Sequence, residues 1–309
     1  MNMRSLKPAL LGSLLASVAL PLHATSVYTD PVGAVVSELE PGLHVVSGLF
    51  VKEKQFQGAL SGINGVTLSV SNGDLSAYGG GDYFVEVVSG DLEGLMMDIV
   101  SSTADSITVE SRFSSLLGDI DSGDSIAIRQ HQTLEDLFAS ADFGSAASAV
   151  AIFYDVEGNE TQLVNNSPSG DWADAFSGVP ANPVVRPGMG FALFLGEASS
   201  MTSVGSVKVG RSLVELNGDF APNIVGTLNP ASGLTLASSN LSEAITADQD
   251  VVVFLGVDGS ETQVVYSSAS GNFIDAITSE NLDSSEIGPG SGVFVFSGDS
   301  IYWDVPAAY

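Results

Sequence analysis

A fifteen-residue stretch of this chain occurs twice. Val150-Ala-Ile-Phe-Tyr-Asp-Val-Glu-Gly-Asn-Glu-Thr-Gln-Leu-Val164 aligns without a gap on Val251-Val-Val-Phe-Leu-Gly-Val-Asp-Gly-Ser-Glu-Thr-Gln-Val-Val265. The register continues, with Ser169-Gly-Asp-Trp-Ala-Asp-Ala175 on Ser270-Gly-Asn-Phe-Ile-Asp-Ala276 and, after a one-residue slip, Pro187-Gly-Met-Gly-Phe191 on Pro289-Gly-Ser-Gly-Val293. A period of roughly 100 residues exceeds a solenoid unit and fits duplication of a whole module. The first run reads as a β-hairpin turning at Glu157-Gly158-Asn159 or Asp258-Gly259-Ser260. The Pro-Gly-x-Gly run reads as a turn feeding another strand, because Pro fixes one dihedral and Gly admits positive φ.

Fainter similarity extends the repeat toward its start. Val32-Gly-Ala-Val35 resembles Val204-Gly-Ser-Val207, Val46-Ser-Gly48 resembles Ile224-Val-Gly226, and Thr133-Leu134 matches Thr235-Leu236. On that outline the modules span residues 25–203 and 204–309, and the first holds an insertion of about 75 residues at about 56–130. Five or six strand candidates with alternating patterns predict that the insertion is a small barrel of its own. Elsewhere, short Val-, Ile- and Phe-rich runs punctuated by glycine turns read as brief strands. Helical periodicity is confined to a turn or two near Thr133–Ala139 and Asn240–Thr246, with one more turn at Asp171–Phe176. The expected class is all-β: two repeated β-sandwich or barrel-like modules, the first carrying an inserted small β-barrel.

The opening residues have the layout of a signal peptide: Arg4 and Lys7, an apolar run from Ala9 to Leu20, then Leu22-His23-Ala24 with a cut expected after Ala24. The run is short for a membrane span, and no later apolar run reaches about 18 residues. The mature chain is therefore expected in the periplasm, on the outer surface or outside the cell, with no transmembrane segment. Removing residues 1–24 takes two of nine basic residues and none of 37 acidic ones, leaving a formal charge of 7 − 37 = −30. That balance excludes nucleic acid and anionic membrane surfaces, which require clustered Lys and Arg. It favours solubility and can attract divalent cations. With no cysteine in the chain, stability has to come from apolar cores.

Tyr28-Thr-Asp-Pro-Val-Gly33, Ile128-Arg-Gln-His-Gln-Thr-Leu134 leading to Phe138, the Ser169-Gly-Asp-Trp172 stretch and Pro187-Gly-Met-Gly-Phe191 resemble an uncharacterised family of exported β-rich proteins from verrucomicrobial bacteria. The resemblance covers nearly all of the mature chain. It implies an exported β-rich protein and carries over no catalytic residue. Gln132 and Phe273 depart from the pattern, standing where aromatic and tryptophan residues are usual.

Candidate chemistry is sparse. His44 and His131 are the mature histidines, neither lies near a Gly-x-Ser-x-Gly elbow, and the chain has no thiol. Gly79-Gly-Gly81 and Gly188-Met-Gly190 lack the spacing of phosphate loops and read as turns. Asp119-Ile-Asp121-Ser-Gly-Asp124 gathers three carboxylates in one loop, a candidate Ca²⁺ site without EF-hand spacing. Asp174 and Asp275 recur in both copies, as turn or cap residues expect to. Trp172 and Trp303 are the candidates for a sugar-stacking platform, although the alignment of Trp172 on Phe273 favours a core position for Trp172, while Trp303 on the last strand suits either role. The reading that follows is an exported non-catalytic cell-envelope or extracellular structural or adhesive protein, with self-association. The alternatives are a polysaccharide-binding module and a carboxylate-based glycoside hydrolase.

Overall fold

A computed structural model describes residues 30–139, 141, 143, 149–166, 171–230 and 234–307; the leader and its expected cut fall outside them. The first module opens with β1 (Val32–Leu39) and β2 (Gly42–Ser47). Six strands follow: β3 (Lys54–Asn64), β4 (Thr67–Val70), β5 (Tyr83–Val87), β6 (Met96–Ser102), β7 (Ser106–Val109) and β8 (Ser125–Gln130). The chain then returns through β9 (Gln132–Thr133), the helical turn α1 (Leu134–Leu137), β10 (Ala149–Tyr154), β11 (Glu160–Asn166) and β12 (Asp171–Asp174). β13 (Val184–Val185), β14 (Gly190–Leu195) and β15 (Ser199–Ser206) complete the module. The second module runs β16 (Ser212–Leu216), β17 (Asn223–Gly226), β18 (Leu234–Thr235), α2 (Leu241–Ala244), β19 (Val251–Leu255) and β20 (Glu261–Ser267). It ends with β21 (Asn272–Asp275), β22 (Glu286–Ile287), β23 (Gly292–Phe296) and β24 (Ile301–Val305).

The fold is all-β, and β3 to β8 close into a barrel in the order β3-β4-β7-β6-β5-β8. Its strands alternate as half-buried strands must: Leu68 and Val70 in β4, and Ile107 and Val109 in β7, point inward while Thr67, Ser69, Ser106 and Thr108 lie nearer the surface. The inward residues form a core with Leu75, Val85, Met97, Ile126 and Ile128.

Outside the barrel, the modules share one plan. One sheet has the order β2-β14-β10-β11-β12 and the other β17-β23-β19-β20-β21. The register repeats as well, with Ala151 opposite Leu163 as Val252 is opposite Val264, and Asn165 opposite Trp172 as Tyr266 is opposite Phe273. Thr133 and Thr235 each cap the turn that follows, accepting the backbone N–H three residues on.

Three expectations are corrected here. Val32–Val35 and Val204–Val207 are not copies: β1 pairs with β15 as β16 pairs with β24, so the counterpart of β1 is β16. The leading strand of the second module is therefore β16, after residue 211, and residues 204–206 belong to the first module's β15. Val46 corresponds to Val225 rather than Ile224, since Val46 faces Phe191 as Val225 faces Val293. A one-residue slip of this kind would turn every side chain to the wrong face. Residues 171–174, expected to be helical, form β12, where pairing with β11 overrides local preference.

The modules pack about a pseudo-two-fold axis. Ser47 N–H donates to Gly290 O at 3.0 Å, and at the equivalent place Gly226 N–H donates to Gly188 O at 3.1 Å. This contact explains both glycines of each Pro-Gly-x-Gly run. Gly188 and Gly290 adopt φ of +78° and +72°, a conformation that Cβ disfavours. A Cβ on Gly190 would lie 2.9 Å from Ile224 Cγ2, and one on Gly292 would lie 3.0 Å from Val45 Cγ1, so the second glycine lets the sheets approach.

Candidate functional site

Both tryptophans are enclosed. Trp172 lies against Phe138 and Phe143, with ring centroids 5.7 Å away in each case, and Trp303 donates its Nε1–H to Ser239 O at 2.7 Å inside the second core. Neither offers a free ring face, so the stacking platform expected from Trp172 and Trp303 is not formed. Asp119, Asp121 and Asp124 lie in the turn that leads into β8. Asp124 Oδ2 accepts the Asp121 N–H at 2.9 Å, closing the turn on itself. Among the described residues no group of three or more acidic, His or Cys side chains is arranged to hold an ion.

Asp174 and Asp275 brace equivalent turns. Asp174 Oδ1 accepts the N–H groups of Phe176 and Ser177 at 3.2 and 2.7 Å, and Asp275 Oδ1 accepts those of Ile277 and Thr278 at 2.8 and 2.6 Å. The donors stabilise the ionised form, so both carboxyls lie below their ordinary range: the Ser177 hydroxyl and N–H are the leading causes at Asp174, the Thr278 and Ile277 N–H groups at Asp275. Each braced turn carries a large apolar side chain in water, Phe176 being 83% exposed and Ile277 84%.

The seven basic residues among the described ones share one task that their spacing alone does not state. Each pairs with a carboxylate, and the pairs gather where the barrel meets the modules. Arg129 of the barrel reaches Asp30 at 2.9 Å and Glu86 at 2.9 Å. Lys208, on the connection between modules, reaches the other oxygen of Glu86 at 2.9 Å. Lys54 joins Asp30 at 2.8 Å, and Lys52 reaches from the barrel's entry to Asp136 of α1 at 2.8 Å. Arg211 bonds Asp304 of β24 at 2.8 Å and the carbonyl of Glu93 in the barrel at 2.9 Å.

A second knot joins all three units. Arg186 of the first module binds Asp98 of the barrel at 2.5 Å, while Arg112 of the barrel binds Glu215 of the second module and Glu110 beside it. His131 is buried with Nε2 3.0 Å from Asp98 Oδ1. Burial opposes the charge of Asp98, but His131 and Arg186 outweigh it and hold the carboxyl below its ordinary range. The cavity here is about 50 Å³. That is room for a few waters and far below the roughly 300 Å³ of ordinary ligand sites. The same arginines also border a more open groove of about 510 Å³, together with Glu110, Tyr154 and Asp155.

A larger opening lies between the two sheets. It measures about 580 Å³ and is lined by equivalent residues of the modules, Ile152 with Val253, Tyr154 with Leu255 and Ala192 with Phe294, together with Phe220 and Phe296. Sequence reasoning missed it because its walls come from strands that read simply as apolar. A second cleft, of about 680 Å³, carries Glu38, Glu40, His44 and Glu286. His44 there hydrogen-bonds the Glu40 carbonyl at 2.7 Å.

Among the described residues no helix is long and apolar enough to cross a membrane. Comparison with protein-family models, curated proteins and solved structures gives no match.

Proposed function

We propose that this chain is an exported, non-catalytic protein of the cell envelope or extracellular space that works by presenting surfaces for assembly or adhesion. The observation that carries this is the recurrence, in each module, of an aspartate-braced turn holding Phe176 or Ile277 out in water. A singly exposed apolar side chain is ordinary; its recurrence on the same aspartate-braced turn in both modules is what supports a contact role. Burying one contributes about 1.5–3 kcal/mol, too little to offset the cost of association alone. Two per chain permit linked, avid contacts.

The carboxyls held below their ordinary range do not suit the role of general acid. Asp30, Asp98, Asp136, Asp174 and Asp275 are all displaced downward, toward permanent charge. A general acid needs the opposite displacement. Export rests on the leader, and the acidic surface suits a hydrated, salty setting.

Sedimentation velocity of residues 25–309 tests the reading. The wild type is expected to associate as concentration rises or to adsorb to an apolar surface, and Phe176→Ser with Ile277→Ser is expected to abolish both without altering thermal unfolding. A strict monomer that adsorbs to nothing, with or without Ca²⁺, would refute it.

A further inference from the structure

We propose that the cleft between the modules binds a single amphiphilic molecule from solution, one with a long apolar body and a neutral or cationic head. The site is distinct from the exposed turns and stands independently of them. Its volume of about 580 Å³ suits one small molecule. Its walls are aliphatic and aromatic: Tyr154 and Phe294 meet edge to face with centroids 6.2 Å apart, and Phe294 and Phe296 stack at 6.2 Å.

One wall is held under strain. Asp219 and Phe220 have φ of +56° and +55°, two successive left-handed residues without a glycine. An aromatic residue in that region is a steric outlier, and such strain concentrates at ligand clamps and active sites. The conformation is fixed by Phe220 N–H donating to Ser297 O at 2.8 Å and Asp219 N–H donating to Gly298 O at 3.1 Å. It places Phe220, still half exposed, along the cleft. Six residues join β16 to β17 where only Glu40 and Pro41 join β1 to β2, so the ring lies on one side only and the cleft has a direction.

Charge selects the head group. The polar residues of the lining are Tyr154, Glu261 and Gln263, and the Tyr154 hydroxyl donates to Glu160 at 3.2 Å. No basic residue lines the cleft, and residues 212–309 contain none at all. A carboxylate or sulfate head would meet like charge there, whereas an ammonium head pairs with Glu261.

The experiment is displacement of Nile red, a neutral environment-sensitive dye, from residues 25–309 by dodecylamine or dodecanoate below their micelle concentrations. Dodecylamine is expected to displace the dye at a concentration at least tenfold lower than dodecanoate. Leu255→Trp, which fills the cleft, should weaken dye binding at least tenfold. Glu261→Lys leaves the core untouched and should reverse the preference between the two amphiphiles. Asp105→Lys on the barrel changes net charge equally and should leave the preference in place. Equal displacement by both amphiphiles, dye binding undiminished in folded Leu255→Trp, or the same response in Asp105→Lys and Glu261→Lys would each overturn the proposal.

Discussion

Replacing Glu86 by Gln removes one negative charge from the joint between barrel and modules while keeping the side chain's shape. The carboxylate is 5% exposed, and its two oxygens serve Arg129 and Lys208, each 3% exposed and 2.9 Å away. Without it, Arg129 keeps Asp30 and the Lys52 carbonyl, but Lys208 keeps only the Arg211 carbonyl at 2.6 Å. Leaving a buried cation without its anion costs about 3–5 kcal/mol. An unfolding entropy near 2.1 cal/mol/K per residue gives roughly 0.6 kcal/mol/K for a chain of this size, so Tm should fall by about 5–8 °C. Calorimetry measures this directly. The double variant Glu86→Leu with Lys208→Met removes both members of one pair and should recover most of the loss, because a buried pair exchanged for apolar groups is nearly neutral. A Glu86→Gln protein within about 1 °C of wild type, or a double variant worse than the single one, would show that the joint does not hold the units together.

Acid should loosen the same joint. Burial opposes the charge of Asp30, Asp98 and Asp136, yet Lys54 and Arg129, His131 and Arg186, and Lys52 with Thr133 hold the three below the ordinary value of 3.8. As pH falls the unfolded chain takes up protons first, so their contribution is complete above about pH 5 and is lost as pH drops below 3.8 through the native values. The Tm difference between wild type and Asp98→Asn, followed from pH 7 to 3, should therefore shrink toward zero, and a constant difference would contradict this. A third prediction comes from comparing the copies: Ser279 has φ of +61° where the first module has Gly178 at +68°. Ser279→Gly should raise stability by about 0.5–1 kcal/mol in denaturant titration, and a loss of stability would show that the Ser279 side chain has a compensating contact.

Much of this architecture could be read from local chemistry. The hairpin repeat, the barrel and the braced turns announce themselves through period-two alternation and through glycine, proline and aspartate at turns. The faint matches failed for a physical reason. Val32–Val35 and Val204–Val207 look alike because both alternate valine with small residues, as strands facing each other do. β12 is four residues long, too short for a period to establish itself. The cleft needs two modules in place before it exists, so no local pattern encodes it. The joint left a trace that spacing rules do not exploit: in a chain so acidic, Lys52, Lys54 and Arg129 stand at the borders of the insertion and Lys208 and Arg211 at the border between modules. Scarce cations marked the seams. Trp172 and Trp303 illustrate the reverse error, since a large aromatic is more valuable to a cysteine-free core than to a surface.

If the two braced turns are the contact surfaces we propose, hydrogen–deuterium exchange across a concentration series will locate them. New protection should grow at residues 174–179 and 275–280 as concentration rises, with the barrel joint unchanged. Protection that arises elsewhere and leaves those two turns untouched would contradict the claim.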